Sequence, residues 1–256
     1  MLHIEFKSGT LLLWEDECLR RGVPEEPLPE LVSGFCKYDG RVRRWRAHAS
    51  DYAAIVTALY RGKVAYDDQA RGYECLELKL EGERNPREYQ RQALDEWWRR
   101  GRRGVVVLPT GTGKSFLAQM AIERCARSTL VVAPTIDLIS QWAVQLRAAF
   151  RCPVGIIGGG EHDLKPITVT TYDSAQQQME YLGDKFALLV VDECHHLPGA
   201  IYSQIARLSI APFRLGLTAT PERQDGLEST YDELLGPICY RKEITELSPG
   251  GVLAPY

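Results

Sequence analysis

The stretch "LLVVDECHHLPGA" at positions 188–200 places five side chains able to bind metal directly after an apolar run. One chemistry available to them is a zinc site, built from Asp192, Glu193, Cys194, His195 and His196. The other uses only Asp192 and Glu193, with the aspartate holding magnesium beside a nucleotide and the glutamate polarising a water molecule. Zinc ligands usually stand about two to four residues apart and come from two clusters, whereas these five are contiguous. The spacing therefore favours the aspartate-glutamate pair.

A second group of chemically capable residues follows the apolar run "GVVVL", in the segment "PTGTGKSFLAQMAIERC". Gly111 and Gly113 allow a tight turn whose backbone N–H groups point inward, and the helix that follows would direct its positive end at the same anion. Lys114 can reach the outer phosphates, while Ser115 can ligate magnesium. The strict pattern has a glycine at position 108, where this chain has Leu108. We predict that the phosphates are bound by Pro109, Thr110, Gly111, Thr112, Gly113, Lys114 and Ser115.

The elements that must position these groups are short runs rich in valine and leucine. They do not alternate between apolar and polar residues, which is typical of strands in a parallel sheet covered by helices on both faces. Ligands of such sheets bind at the carboxyl ends of the strands, and because both motifs follow strand ends we expect them to form one site. The predicted fold class is α/β, with strands at 104–108, 128–133, 167–171, 187–192 and 214–218.

The chain before about residue 82 has a different pattern. Short alternating runs, a proline-rich turn region "VPEEPLPE" and a helical segment "SDYAAIVTALYRG", with Ser50 as its N-cap, predict a small α+β domain. We predict domains at 1–82 and 83–245, with 246–256 beginning a linker. Two runs are basic, one from Lys37 to Lys63 and the other, "WWRRGRR", at 97–103. Each is either a nucleic-acid contact or a solvated face.

Composition excludes several classes of protein. The 256 residues are 45% hydrophobic and 25% charged, which is typical of a soluble globular protein and excludes disordered and collagen-like chains. The chain has no apolar run of about eighteen residues, so we expect a cytoplasmic protein, associated with the nucleoid in a prokaryote. Seven cysteines without a Cys-x-x-Cys pair argue against a disulfide framework or a zinc ribbon. The net charge of -3 predicts no general attraction to nucleic acid.

Taken in order along the chain, these motifs resemble those of the superfamily-two helicases and translocases. "REYQRQAL" resembles the adenine-reading Q motif, "PTGTGKS" motif I, "APTIDLISQW" motif Ia, "TVTTYDSA" the next strand-end motif, "DECHH" motif II and "TAT" motif III. "SIAPFRLGLTATPERQDG", "VTTYDSA" and "DECHHLP" resemble the XPB/Rad25 branch of DNA helicases, of the archaeal and bacterial type. The resemblance implies a RecA-like first motor domain that uses ATP and Mg²⁺, preceded by a domain implicated in recognising damaged or distorted DNA.

The resemblance also implies roles for individual residues. Lys114, Asp192 and Glu193 would be the catalytic group, with Ser115 and Asp192 holding magnesium, and adenine would be read by Arg87 and Gln90. For Thr135 and Tyr172 a turn or cap role is an alternative, and for Arg46 structural packing is. The residues expected to bind DNA or to couple it to the nucleotide are Thr135, Thr171, Tyr172, His195, Thr218, Thr220, Arg223, Gln224, Asp225, Arg44 and Arg46.

Two departures from the family limit these expectations. Where the family has an Arg-Glu-Asp motif implicated in opening DNA, this chain has Arg223, Gln224 and Asp225, which calls into question any role that needs the central carboxylate. The chain ends at "GGVLAPY", where a second RecA-like domain would begin. We therefore expect the first motor domain alone, binding ATP weakly and hydrolysing it slowly.

Three functions remain compatible with the sequence. The first is an ATP-dependent DNA helicase or translocase of nucleotide excision repair or transcription, acting on duplex, fork or bubble DNA. The second is the motor subunit of a restriction system, and a nuclease partner fits either of these two. The third, a DNA-binding module with little ATPase activity, is disfavoured by the presence of Lys114, Asp192 and Glu193. We expect a monomer that has no membrane partner.

Overall fold

A computed structural model describes residues 1–15, 28–82, 84–220 and 230–243 of the chain. These residues form two sheets, each with its own helices. The smaller sheet belongs to the N-terminal unit, defined here as residues 1–70, and the larger sheet to the main unit, residues 74–243. The elements of the N-terminal unit are β1 (Leu2–Lys7), β2 (Thr10–Glu15), α1 (Glu30–Ser33), β3 (Cys36–Asp39), β4 (Arg44–His48), a 3-10 turn (Ala49–Asp51), α2 (Tyr52–Arg61) and β5 (Tyr66–Asp68).

The smaller sheet packs one of its faces against a helix of the same unit. The strand order is β3-β4-β2-β1-β5, and β1 with β5 is the parallel pair in an otherwise antiparallel sheet. Leu11 and Leu13 of β2 lie on the face that packs against Ile55 and Leu59 of α2. Ser50 is not the N-cap of α2, because a 3-10 turn precedes the helix and places Asp51 at that position.

The main unit contains the sheet that the apolar runs predicted. Its strand order is β13-β6-β12-β11-β7-β10-β8-β9, parallel throughout except for β8 with β9. The elements are α3 (Glu88–Arg99), β6 (Arg103–Val107), α4 (Lys114–Cys125), β7 (Thr129–Ala133), α5 (Ile136–Phe150), β8 (Gly155–Gly158), β9 (Glu161–His162), β10 (Ile167–Thr171), α6 (Tyr172–Leu182), β11 (Leu188–Asp192), a 3-10 turn (Cys194–His196), α7 (Ser203–Arg207), β12 (Phe213–Thr218), α8 (Thr230–Leu234) and β13 (Ile238–Arg241).

Helices cover both faces of the larger sheet. One core contains Trp97, Leu117 and Trp142 from α3, α4 and α5, and the other contains Met179 and Ile205 from α6 and α7. The central strands are buried along their whole length, which explains why their sequences do not alternate. The predicted α/β class with a parallel sheet is confirmed. No helix of the described ranges is both long and apolar enough to cross a membrane.

The segment between the two sheets packs on the main unit. The N–H of Leu76 donates to Ala126 O at 2.9 Å, and that of Glu81 donates to Ala149 O at 2.8 Å. Leu78 also packs against the core beneath α4 and α5. By these contacts residues 74–81 belong with the main unit, although the sequence division at residue 82 assigned them to the first domain.

Candidate active site

The loop at residues 109–113 joins the carboxyl end of β6 to α4. Gly111 and Gly113 have φ angles of 79° and 85°, a conformation that residues with a Cβ rarely adopt. A Cβ added to Gly113 would lie only 2.6 Å from Nε2 of Gln90, so this position also lacks room for a side chain. Both glycines therefore shape the turn for which the sequence predicted them.

The remaining residues of the loop hold its form. Thr112 is buried, and its hydroxyl donates to Pro109 O at 2.7 Å, while Thr110 is exposed. Leu108 is fully buried in the core, and its N–H donates to Thr218 O at 3.0 Å. The position that is glycine in the strict pattern is thus used here for core packing.

Lys114 begins α4, with Ser115 in the same first turn. The N–H groups at this end of the helix have no partner within the helix and favour a bound anion. Nζ of Lys114 donates to Leu108 O at 3.2 Å and lies 3.7 Å from Oε1 of Glu193. The structure therefore brings the predicted phosphate-binding lysine next to the predicted water-activating carboxylate.

Asp192 ends β11 and is only 9% exposed. Its Oδ2 accepts a hydrogen bond from Nε1 of Trp142 at 2.9 Å, and its Oδ1 accepts one from the N–H of Glu193 at 3.0 Å. Burial raises the pKa of Asp192, and the hydrogen bond from Trp142 opposes that rise. Two donors thus fix the orientation of the carboxylate.

Glu193 follows with φ of 46°, a left-handed conformation that is uncommon for a residue with a side chain. Its carboxylate lies 3.7 Å from Nζ of Lys114 and 3.4 Å from Nδ1 of His195. Such backbone conformations are concentrated at functional sites, where surrounding contacts hold them. The turn at Glu193 aims its side chain at the phosphate loop instead of continuing the strand direction.

His195 connects this site to the end of the neighbouring strand, β12. Its Nδ1 is 3.0 Å from Oγ1 of Thr218. The same hydroxyl accepts from the N–H of Thr220 at 3.2 Å and donates to Thr220 O at 3.1 Å. The residues predicted to couple the nucleotide to DNA therefore form one chain of contacts that starts at Glu193.

Gln90 and Arg87, the predicted adenine readers, lie at the start of α3. Oε1 of Gln90 accepts from the N–H of Arg87 at 3.0 Å, and its Nε2 donates to the carbonyls of Thr112 and Gly113 at 3.0 and 3.3 Å. The hydroxyl of Tyr89 donates to Thr112 O as well, at 2.6 Å. The side-chain nitrogen of Gln90 thus contacts the phosphate loop in this structure, and adenine reading by Gln90 stays a prediction.

The predicted DNA-contacting residues at other strand ends act as caps or are buried. Oγ1 of Thr135 accepts from the N–H of Leu138 at 3.3 Å, and that of Thr171 accepts from the N–H of Ser174 at 3.1 Å. Tyr172 is 3% exposed and donates to the carbonyls of Asp192 and Glu193 at 2.9 and 3.2 Å. The Tyr172 side chain thus makes a buried contact with the Asp192 turn, and its contact with DNA stays a prediction.

Cys194 turns away from its neighbours into the core. It is fully buried, and a Cβ on Gly216 would lie 2.9 Å from its Sγ. Burial also raises the pKa of its thiol well above the usual range. Within the described ranges no three His, Cys, Asp or Glu side chains are grouped to hold a metal ion, so the contiguous residues of the zinc alternative do not converge.

Arg44 and Arg46 lie in the smaller sheet, away from the phosphate loop. Arg46 pairs with Asp39 at 3.2 Å and donates to the hydroxyl of Thr10, which is the packing role left open for it. Arg44 stacks on Trp14 at 4.0 Å from the ring centroid. Arg223, Gln224 and Asp225 fall outside the described residues.

Sequence reasoning missed Trp142. It lies on α5 among Ile139, Ala143 and Leu146, which form the apolar face of that helix. By spacing alone it is a core residue, and it is indeed 3% exposed. Nothing in the local sequence distinguishes an indole that merely packs from one that donates to Asp192, because the partner is 50 positions away.

Two family models match the chain. Residues 83–223, more than half of it, match the family described as type III restriction enzyme, res subunit. Residues 4–70 match the xeroderma pigmentosum group B helicase damage recognition domain. The second match ends at residue 70, which is also the last residue of the N-terminal unit.

Similar proteins and structures agree with these matches. The chain is 51% identical over 170 residues to the DNA 3'-5' translocase XPB2 of Sulfurisphaera tokodaii, covering 66% of this chain and 38% of that protein. It is 30% identical over 232 residues to the DNA 3'-5' helicase XPB of Mycobacterium tuberculosis, covering 82% and 42%. The UvsW helicase of bacteriophage T4 shares the fold, with a TM-score of 0.53, 19% identity and coverage of 93% and 99%.

The chain thus spans about two fifths of the length of both XPB relatives. The larger family match lies on the unit that holds the phosphate loop and the Asp192 turn, and the smaller one on the unit that precedes it. The chain belongs to the family of the type III restriction enzyme res subunit and, by its N-terminal unit and its relatives, to the XPB-type superfamily-two helicases.

Proposed function

We propose that this protein is the ATP-binding part of an ATP-dependent DNA helicase or translocase of nucleotide excision repair or transcription. The observation that carries the proposal is the convergence of Lys114 and Glu193, with 3.7 Å between Nζ and Oε1, at the carboxyl edge of a parallel sheet. Residues from two distant motifs meet where the fold places its ligands. Relatives named as XPB helicases and translocases support the DNA motor.

The phosphates of ATP would lie against the loop amides of residues 111–115, with Lys114 on the outer phosphates. Lys114 now contacts Glu193 and Leu108 O, and phosphate oxygens would replace both as its partners. Arg87 remains the predicted contact for adenine. Gln90 remains a predicted adenine contact as well, and together with Tyr89 it would hold the loop.

The donor set at this site fits a magnesium ion. Magnesium prefers oxygen ligands and uses one or two carboxylates together with phosphates, and Ser115 and Asp192 offer a hydroxyl and a carboxylate beside the loop. When bound, the ion would neutralise charge that develops on the phosphates. Trp142 would keep Asp192 oriented for this role.

Glu193 would act on the attacking water. In hydrolysis the water oxygen forms a bond to the γ-phosphorus, the bond from that phosphorus to the bridging oxygen breaks, and ADP leaves. The carboxylate of Glu193 would accept the water proton. His195 contacts both Glu193 and Thr218. A change at the Glu193 carboxylate would therefore be transmitted through His195 to the end of β12.

DNA is the proposed partner, as duplex, fork or bubble. The cap residues Thr135 and Thr171 lie at the carboxyl edge of the larger sheet, and a DNA strand would run along that edge. Arg44 and Arg46 belong to the unit that matches a damage recognition domain, and Arg223, Gln224 and Asp225 stay predictions for strand opening. A DNA partner would place the protein in the cytoplasm or at the nucleoid of a prokaryote.

A second candidate is the motor subunit of a restriction system, which the description of the larger family match favours. The N-terminal match to a damage recognition domain favours the repair motor instead. A nuclease partner is compatible with both. Cleavage of DNA that depends on ATP and on a copurifying nuclease would support restriction, whereas ATPase without cleavage would support repair or transcription.

The test is DNA-stimulated ATP hydrolysis by the complete protein, on intact duplex, forks and bubbles of equal length. We expect stimulation by DNA, greater on forks and bubbles than on duplex. The Lys114→Ala variant should lose it. A rate of ATP hydrolysis that does not change when DNA is added would overturn the proposal. Hydrolysis that the Lys114→Ala substitution leaves unchanged would overturn it as well.

A further inference from the structure

The two units enclose a cleft at the amino edge of the larger sheet. Its volume is about 470 Å³, which is within the range of small-molecule sites, roughly 300–1,000 Å³. Ser50 and Asp51 line it from the N-terminal unit, and Arg103 and Arg207 line it from the main unit. Arg103 is the first residue of β6, so the cleft lies at the opposite end of that strand from the phosphate loop.

Arg103 is one of the two arginines that line this cleft. Its side chain is mostly buried, and burial lowers the pKa of the guanidinium. Among the residues that the structure describes, none accepts a hydrogen bond from this guanidinium and no carboxylate lies within 4.0 Å of it. A guanidinium held partly out of water without an acceptor is costly, and a bound anion would remove that cost.

The neighbouring arginine, Arg214, has hydrogen-bond acceptors for its guanidinium. Arg214 is fully buried, and its three nitrogens donate to the carbonyls of Ala211, Leu234 and Ser209 at 3.1, 2.6 and 2.8 Å. The nearby charge of Arg103 contributes to lowering the pKa of Arg214. Arg214 therefore adds positive charge close to Arg103 and Asp51, while each of its nitrogens already donates to the protein.

The arginines and carboxylates that line the cleft are equal in number, Arg103 and Arg207 with Asp51 and Glu233. Arg207 is paired with Glu233 at 2.9 Å. His48 lines the cleft beside Asp51, and burial raises the pKa of Asp51 although His48 and Arg214 oppose that rise. Among the described arginines and carboxylates of the lining, Arg103 and Asp51 are thus the two left without an ion pair, and the charge of Arg214 lies close enough to act on Asp51.

We propose that this cleft binds a small phosphate monoester, with its phosphate on Arg103 and a hydroxyl of the same molecule donating to Asp51. A guanidinium matches a phosphate with two parallel hydrogen bonds. Asp51 supplies the acceptor that a sugar hydroxyl needs. Because both units line the cleft, a bound ligand would tie the N-terminal unit to the main unit, at a place separate from the nucleotide site.

The test is calorimetric binding of ribose 5-phosphate and of inorganic phosphate, at ionic strength matched with sodium chloride. It is run on the Lys114→Ala variant, in which we expect the phosphate loop to bind either probe more weakly. We expect ribose 5-phosphate to bind more tightly than phosphate, and Arg103→Gln to weaken it roughly tenfold or more, as loss of a charge-assisted pair does. Arg41→Gln, which removes an exposed arginine, should leave binding unchanged.

A second variant keeps the test independent of the charge change. Ala54 is an exposed residue of α2 that lines the cleft, and Ala54→Trp should fill the space and weaken ribose 5-phosphate similarly. Binding that Arg103→Gln or Ala54→Trp leaves unchanged would overturn the proposal, as would no binding of ribose 5-phosphate in the Lys114→Ala background. Equal affinity for the two probes would overturn the contact assigned to Asp51.

Discussion

At the carboxyl edge of the larger sheet Trp142 donates its indole N–H to the carboxylate of Asp192, at 2.9 Å. At the amino edge Trp97 donates the same group to the backbone carbonyl of Arg214, also at 2.9 Å. Both tryptophans are buried on helices that cover the same face. The two edges therefore use one residue type with two kinds of acceptor.

The acceptor decides what each contact can do. Backbone carbonyls carry no net charge and keep their place, so Arg214 and Trp97 hold the amino edge together without any change of state. The contacts at the carboxyl edge include the ion pair of Lys114 with Glu193 and a contact between Glu193 and the imidazole of His195. Such contacts can be exchanged when an anion arrives. The contacts at the amino end of β12 are thus of the kind that stabilises a fold, whereas those at the carboxyl edge are of the kind that a bound anion can replace.

The largest effect expected is on turnover, from Glu193→Gln. An amide of the same shape cannot accept a proton, so kcat of the DNA-stimulated reaction in the complete protein should fall roughly 10²- to 10⁴-fold. ATP binding should persist. Glu180→Gln, an exposed glutamate of α6, is the matched control. A fall in kcat shared by both variants, or absent from Glu193→Gln, would remove the chemical role of Glu193.

The next effect is on stability, from Arg214→Met. It leaves the carbonyls of Ala211, Leu234 and Ser209 without their donor, and the free energy of unfolding should drop by about 3 kcal/mol. ATP affinity of the folded protein should stay the same. Urea unfolding together with nucleotide titration measures both, with Arg41→Met as the exposed control. A change in ATP affinity without loss of stability would contradict the stabilising role assigned to Arg214 at the amino edge.

The two tryptophans test the contrast most closely. Trp97→Phe and Trp142→Phe each remove one buried N–H and should each lower the free energy of unfolding by about 1–3 kcal/mol. Only Trp142→Phe should reduce the gain in ATP affinity that magnesium gives, because only its partner is a predicted magnesium ligand. Titration of ATP with magnesium and with EDTA separates the two. If magnesium raises the ATP affinity of both variants as much as that of the wild type, Trp142 contributes to packing and not to magnesium binding.

The smallest effect is expected at Thr218, whose hydroxyl joins His195 to Thr220. Thr218→Val keeps the shape of a fully buried side chain and should reduce stimulation of ATPase by DNA roughly 2- to 10-fold. Basal ATP affinity should not change. Thr168→Val, in β10, loses a hydroxyl away from this chain of contacts and should retain full stimulation.

Local sequence was sufficient to predict the frame of the site. Uninterrupted valine and leucine runs predicted the parallel strands, because burial on both faces leaves no polar alternation. The glycines at 111 and 113 predicted the tight loop, which their positive φ angles require. Leu108 shows the limit of motif reading, since core packing at that position outweighs the strict pattern.

What sequence could not predict depends on partners distant in the chain. Gln90 was predicted to read adenine, and in the structure its side-chain nitrogen donates to the backbone carbonyls of Thr112 and Gly113. Tyr172 was predicted at a DNA surface, yet its hydroxyl reaches the turn after β11. The packing of residues 74–81 on α4 and α5 likewise moves the unit boundary, because an extended segment shows no periodicity that would assign it to either sheet.

The most direct test of the central claim is the affinity of this chain for ATP with magnesium, measured for the wild type and for Lys114→Ala. If the carboxyl edge is the nucleotide site, the wild type binds, magnesium strengthens binding, and Lys114→Ala weakens it roughly tenfold or more through loss of a charge-assisted contact. Glu193→Gln, which also removes the ion pair with Lys114, should bind at least as well as the wild type. Equal ATP affinity in the wild type and Lys114→Ala would contradict the account.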